Sequence, residues 1–161
     1  MKRLYNILRL LLMRNGFHRA NFIKNHKLFG SIGDNCYYHP FLISAESKNI
    51  FLGNNVVISK NVELVTHDMS YTLFKNDDTL ISKIGNFKYP YYTDKIVIGN
   101  NVMIGANAII LPGVKIGSNV IIGAGSLVSH DVQDGTVVGG VPAHVIGNYY
   151  DYAKKRGETI S

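Results

Sequence analysis

A single cysteine, Cys36, excludes an intramolecular disulfide framework in these 161 residues, which suits a reducing compartment. Its neighbours are Tyr37 and Tyr38 rather than a base that would activate a thiolate, so a packed, unreactive thiol is expected. No apolar run reaches membrane-spanning length. The stretch LYNILRLLLM follows Lys2 and Arg3 in the manner of a secretory leader, but Arg9 interrupts it and no small-residue cleavage site follows. The chain is therefore expected in the cytoplasm, with the inner face of the membrane as its outer limit. Acidic residues are absent from the first 33 positions. Lys2, Arg3, Arg9, Arg14, Arg19, Lys24 and Lys27 all precede Asp34, and the rest of the chain is nearly neutral. The formal charge of +6 thus belongs to the N-terminal segment. No nucleic-acid reader motif accompanies it, and nucleic acid is not expected as a partner.

What the chain has in abundance is a six-residue period. Ile98, Ile104, Ile110, Ile116, Ile122 and Val128 fall at every sixth position, and Val102, Ala108, Val114, Val120, Ser126 and Val132 follow each by four. Neither a helical period of 3.6 nor a two-residue alternation gives this spacing. A sustained hexad repeat is a signature of the parallel β-helix. The large aliphatic is expected to point into a prism and the small residue to fit a tight corner. Gly99, Gly105, Gly117, Gly123 and Asn101, Asn107, Asn119 are expected to supply the left-handed backbone of the corners.

The run IGNNVMIGANAIILPGVKIGSNVIIGAGSLVSHDV, closed by GGVPAHVIG, resembles the hexapeptide-repeat acyltransferases. Among them it is most similar to the galactoside and maltose O-acetyltransferases and to the sugar O-acetyltransferases of surface-polysaccharide synthesis. The resemblance covers about residues 32–150. It implies a left-handed β-helix of three flat sides, a homotrimer, and acetyl-CoA as co-substrate with no metal. The fold class is accordingly all-β dominated, a left-handed parallel β-helix with a helical N-terminal segment, an excursion loop and a short C-terminal helix.

The chain divides into an N-terminal segment at residues 1–30, the β-helix at 31–148 and a tail at 149–161. Leu4, Ile7, Leu8, Leu11 and Leu12 form one stripe of a helix over residues 2 to about 15, with Lys2 and Arg9 opposite. That stripe either packs on the prism or a neighbouring subunit, or lies on an anionic membrane surface. A second helical piece is expected over about 18–27. The hexad frame blurs around Pro40 and the polar AESKN stretch, then recovers at Leu52, Ile58 and Leu64. From Leu64 to Ile98 the count is 34, not a multiple of six, so residues 68–95 are expected to leave the prism. Their aromatic content argues for an ordered, functional excursion. The tail has helical composition and is expected to cap the open end of the prism.

His67 ends the strand VELVTH where the chain leaves for the excursion. An imidazole there can take a proton from a hydroxyl and return it, although a structural histidine satisfies the same pattern. The resemblance implies the catalytic role, because the family's catalytic histidine precedes its excursion, and LVTHDMSY matches that position. The group that orients His67 is left open among Asp68, Glu63 and a backbone carbonyl. Residue by residue, the resemblance implies cofactor contacts at Ala106, Ala124, Ser129, His130 and His144. His130 and His144 replace family cations and give up fixed positive charge, for which Lys154, Lys155 or Arg156 would compensate. On the acceptor side, His39 matches a family asparagine, and Tyr71 and Tyr89 suit stacking on a sugar ring. The implied activity is acetyl transfer from acetyl-CoA to a sugar or glycan hydroxyl, in the synthesis of capsule, O-antigen or exopolysaccharide. N-acetylation of an amino-sugar nucleotide, serine O-acetylation and a non-enzymatic trimeric scaffold are the competing readings. A zinc site is not expected, because His67, His130 and His144 do not fall at the spacing that would stack a pair.

Overall fold

The computed structural model describes residues 2–159, with side chains from Leu4 onward. Met1, Ile160 and Ser161, which the segment boundaries above include, and the side chains of Lys2 and Arg3 lie outside the described residues. Two helices open the chain, α1 (Lys2–Leu12) and α2 (Gly16–Asn25). Asn15 caps α2 by accepting from the Phe17 amide at 2.8 Å, which satisfies one of the free donors of the first turn.

The prism then begins with β1 (Ser31–Ile32) and β2 (Tyr37–Tyr38), and its second coil holds β3 (Ile50–Leu52), β4 (Val56–Ile58) and β5 (Glu63–Leu64). An antiparallel ribbon of β6 (His67–Asp68) and β7 (Tyr92–Thr93) forms the base of the excursion, which carries α3 (Ser70–Phe74) and α4 (Asp78–Ile84). The third coil is β8 (Ile96–Ile98), β9 (Val102–Ile104) and β10 (Ile109–Ile110). The fourth is β11 (Lys115–Ile116), β12 (Val120–Ile122) and β13 (Leu127–Val128). Finally β14 (Thr136–Gly139) is met antiparallel by β15 (His144–Asn148), and α5 (Tyr149–Glu158) follows.

Parallel pairing stacks these strands into three sides. One side holds β1, β3, β8 and β11; the next holds β2, β4, β9, β12 and β14; the third holds only β5, β10 and β13. Asn101 bonds Asn119, 18 residues on, across uninterrupted coils, whereas Asn55 bonds Asn101, 46 residues on, across the excursion. Three hexads per coil account for the first spacing. Both hexad positions point inward: Ile98, Ile104, Ile110, Ile116, Ile122 and Val128 are buried, and so are Val102, Ala108, Val114, Val120 and Ser126. Each fully buried isoleucine stabilises the prism by about 1.5–3 kcal/mol relative to exposure.

Glycine and asparagine divide the corner work differently from the sequence expectation. Asn101, Asn107 and Asn119 adopt φ of 56–59°, the left-handed region that asparagine tolerates best among non-glycine residues. Gly99, Gly105, Gly117 and Gly123 do not. At Gly105 a Cβ would lie 2.5 Å from the Ala124 amide nitrogen of the next coil, so glycine is needed there for close approach of two backbones.

Both ends of the chain leave helical surface exposed. On α1 the buried residue is Leu10, with Ile7 half-buried, while Leu4, Leu8, Leu11 and Leu12 stand 63, 52, 50 and 80 % exposed. The leucine stripe therefore faces away from its own prism. None of the described residues of α5 is buried. Arg19, one of the N-terminal cations, is not solvated. It is buried on α2, its Nε donates to the Tyr38 carbonyl at 2.8 Å, and its Nη1 donates to the Met13 carbonyl.

Candidate active site

The third side lacks a strand from the first coil, and that gap creates the site. Pro40 has no backbone donor to offer a ladder, and residues 39–46 form no strand beside β5. This leaves β5 as an edge and opens a cavity of about 700 Å³ beside it, a size ordinary for small-ligand sites. His39, Pro40, Phe41, Ser44, Glu63 and His67 are among its lining residues, and Ile7 of α1 also lines it. The walls are mostly apolar, and the polar groups are few and convergent.

His67 starts the β6–β7 ribbon, so its backbone is held by Thr93 across the ribbon, and the Asp94 amide donates to the Thr66 carbonyl at 3.1 Å. Its Nδ1 lies 3.0 Å from Oε2 of Glu46. The same carboxylate oxygen accepts from Ser44 Oγ at 3.2 Å and Thr66 Oγ1 at 3.3 Å, and Oε1 accepts from the Tyr91 hydroxyl at 2.9 Å. Partial burial pushes the Glu46 carboxyl up. The bonds from Tyr91 and Ser44, a backbone bond and the nearby imidazole outweigh this and hold it below the usual carboxylate range. Burial, reinforced by the bond to Glu46, pushes the Tyr91 phenol up. The side chains of His67 and Glu46 keep 35 % and 23 % of their surface exposed, enough for a ligand to reach the imidazole.

Glu46 therefore fills the place that sequence reasoning left open among Asp68, Glu63 and a carbonyl. Asp68 instead accepts from the Ser70 amide at 2.5 Å, which holds its carboxyl low. Glu63 is exposed on β5 and lines the cavity without contacting the imidazole. Glu46, Tyr91, Ser44 and Thr66 escaped sequence reasoning. The one signal for them was the break of the hexad frame at AESKN, which places an acid about one coil before His67.

The remaining candidates fall into separate places. His39 lines the cavity with His67, and its Nδ1 is buried without a hydrogen-bond partner. Tyr71 and Tyr89 do not line it. Tyr71 meets Tyr91 edge-on at 5.5 Å between ring centres, and Tyr89 packs on Phe74 at 5.4 Å, so both hold the excursion together. Ala106 and Ala124 stack on one corner of the prism, where the Gly125 amide donates to the Ala106 carbonyl at 2.8 Å. Neither carries more than a methyl group, so the backbone along that corner stays open to a ligand. Ser129 Oγ and His130 Nδ1 lie 3.0 Å apart after β13, on the edge of the third side that also carries His67. His144 opens β15, exposed. A single chain thus places His67 and the alanine corner on opposite edges of one side. They are separated by the length of a short strand, roughly 15–20 Å at the rise of extended chain.

Comparisons with known proteins agree with this architecture. The family model for bacterial transferase hexapeptide (six repeats) matches residues 95–130. The chain is 42 % identical over 135 residues to Protein CapG of Staphylococcus aureus, covering 82 % of this chain and 73 % of that one. It is 34 % identical over 149 residues to the galactoside O-acetyltransferase of Escherichia coli (strain K12), covering 84 % and 71 %. Among solved structures, a galactoside acetyltransferase in complex with coenzyme A superposes with a TM-score of 0.59 at 29 % identity, covering 95 % of this chain and 83 % of that one. The chain belongs to the hexapeptide-repeat transferases and has their left-handed parallel β-helix; it is an acyltransferase.

Proposed function

We propose that this chain transfers an acetyl group from acetyl-CoA to a sugar hydroxyl with His67 as general base. The observation that carries the reading is the Glu46–His67 contact at the mouth of a cavity. With Nδ1–H donated to the Glu46 carboxylate, the Nε2 lone pair is free to accept a hydroxyl proton. The carboxylate then stabilises the imidazolium that forms, as an orienting acid does in a catalytic triad. Bound acetyl-CoA supplies the thioester carbonyl that the resulting alkoxide attacks. His67 returns its proton to the departing thiolate, so the imidazole is neutral again at the end of the cycle.

The acetyl donor fits the chain's open alanine corner at Ala106 and Ala124, with Ser129, His130 and His144 nearer the C-terminal end. The coenzyme A complex of the similar galactoside acetyltransferase supports this donor. The galactoside names among the relatives support a sugar acceptor, and the sequence resemblance supports surface-polysaccharide assembly as the setting. His39 and the apolar walls of the cavity receive that acceptor. Because one chain holds His67 and the alanine corner on opposite edges of a side, a homotrimer is the working form, with the neighbour's corner brought to each His67.

Calorimetric titration with acetyl-CoA tests the reading without knowledge of the acceptor. Saturable binding of one equivalent per chain is expected, on a species with the mass of three chains. Absence of binding at millimolar acetyl-CoA overturns it.

A further inference from the structure

The outer face of α1 has no partner among the described residues of this chain. Among the described side chains of α1, Leu10 is the one that is buried, with Ile7 and Asn6 half-buried beside it. Leu4, Tyr5, Leu8, Leu11 and Leu12 project from the other side, each at least half exposed. At 100° per residue these five cover an arc of roughly 120° of the helix, too wide and continuous to be scattered surface leucines. Arg9 is exposed at its margin, Arg14 is exposed just beyond the end of the helix, Lys2 and Arg3 begin the helix in sequence, and no acid occurs before Asp34.

We propose that this face docks on an anionic lipid surface. An apolar arc with a cationic border and no carboxylate is the composition of a helix that lies in a bilayer interface. A second copy of α1 fits less well, since pairing like with like would bring two cationic borders together with no acid on either helix to answer them. Among the described residues no helix is long and apolar enough to cross a membrane, so the contact is peripheral. A helix of 11 residues with one leucine face binds weakly alone. Three copies on one face of an assembly bind together, because the second and third contacts are intramolecular.

The position of α1 gives the docking a consequence. Ile7, on its inner side, lines the cavity that holds His67. A second cavity of about 430 Å³ shares Ile7, Ile43, Ser44 and Ala45 with the first and is lined by Lys27 and Lys48. A docked α1 therefore holds the His67 cavity at headgroup level, where the acceptor in reach is a glycan carried on a lipid. This consequence rests on the acetyl-transfer reading; the docking does not.

The test is co-sedimentation of the full chain with vesicles of phosphatidylglycerol and phosphatidylcholine, against phosphatidylcholine alone. Wild type is expected to sediment with the anionic vesicles, at least ten-fold more than with the neutral ones, and to be released by raised salt. The double variant Leu8→Gln, Leu11→Gln is expected to stay in the supernatant while keeping wild-type mass and acetyl-CoA affinity. Wild type left in the supernatant with anionic vesicles, or a double variant that sediments like wild type, overturns the docking. A double variant of reduced assembly mass assigns the face to a neighbouring subunit and equally overturns it. Loss of acetyl-CoA binding by wild type would strike the acetyl-transfer reading and leave the vesicle result standing.

Discussion

The carboxylate of Glu46 faces His67 Nδ1 at 3.0 Å although 21 residues separate them in sequence. Parallel coiling makes them neighbours, because the break at AESKN carries Glu46 past the end of β5. A base held this way keeps one tautomer and one ring orientation. Glu46→Gln keeps the size of the side chain and loses the charge that steadies the imidazolium. It is expected to lower kcat by about 10²-fold with little change in acetyl-CoA affinity. Steady-state kinetics beside a calorimetric titration separates the two effects.

Tyr91 links the excursion to this carboxylate. Its hydrogen bond is among the causes that hold the Glu46 carboxyl below its ordinary range. The ionised Glu46 therefore contributes fully above the usual carboxylate range, and its contribution is lost as pH falls through the lowered native value. Removing the phenol in Tyr91→Phe raises the Glu46 value back toward normal. The stability this shift contributes is then smaller, so Tm is expected to fall below that of wild type near neutral pH, with the two proteins converging as pH falls below the lowered native value. Thermal melts from pH 3 to pH 7 show whether it does.

Asn101 holds a left-handed backbone with φ of 56° and sits in the middle of a side-chain ladder, donating to Asn119 at 3.0 Å and accepting from Asn55 at 2.9 Å. Alanine in that conformation costs about 1–2 kcal/mol in backbone strain, and it also removes both ladder bonds. Asn101→Ala is expected to lower the urea midpoint clearly. Asn101→Gly, which loses the ladder but relieves the backbone, is expected to lower it less.

Cys36 is buried against the prism, its Sγ within 3.3 Å of the Gly53 carbonyl, and burial pushes its thiol up. Little thiolate is then present near neutral pH. A maleimide or a disulfide reagent is expected to leave native protein unlabelled and to label one thiol per chain in urea.

The hexads from Ile98 to Val128 were legible because burial alternates on a fixed period and each coil repeats the last. Even there, the reason for Gly105 was hidden: the residue type is visible, but the approach of the Ala124 amide is a property of stacking. The α1 stripe was legible as a stripe, but period alone does not say which way it faces. Leu10, outside that stripe, is the buried one among the described side chains of α1. His67 announced itself by its place at the start of the excursion. Glu46 did not, since its partner is set by how far the irregular first coil swings outward, which no local spacing encodes. Tyr71 and Tyr89 have the composition of a sugar platform, but the short helices of the excursion use those rings against Tyr91 and Phe74.

The most direct test of the central claim is release of free thiol from acetyl-CoA in the presence of a panel of sugar acceptors, measured for wild type and for His67→Ala. The account predicts turnover by wild type and a fall of about 10²–10⁴-fold in kcat for the variant, with unchanged assembly mass and acetyl-CoA affinity. Wild-type turnover by a correctly assembled His67→Ala protein would contradict the general-base role of His67.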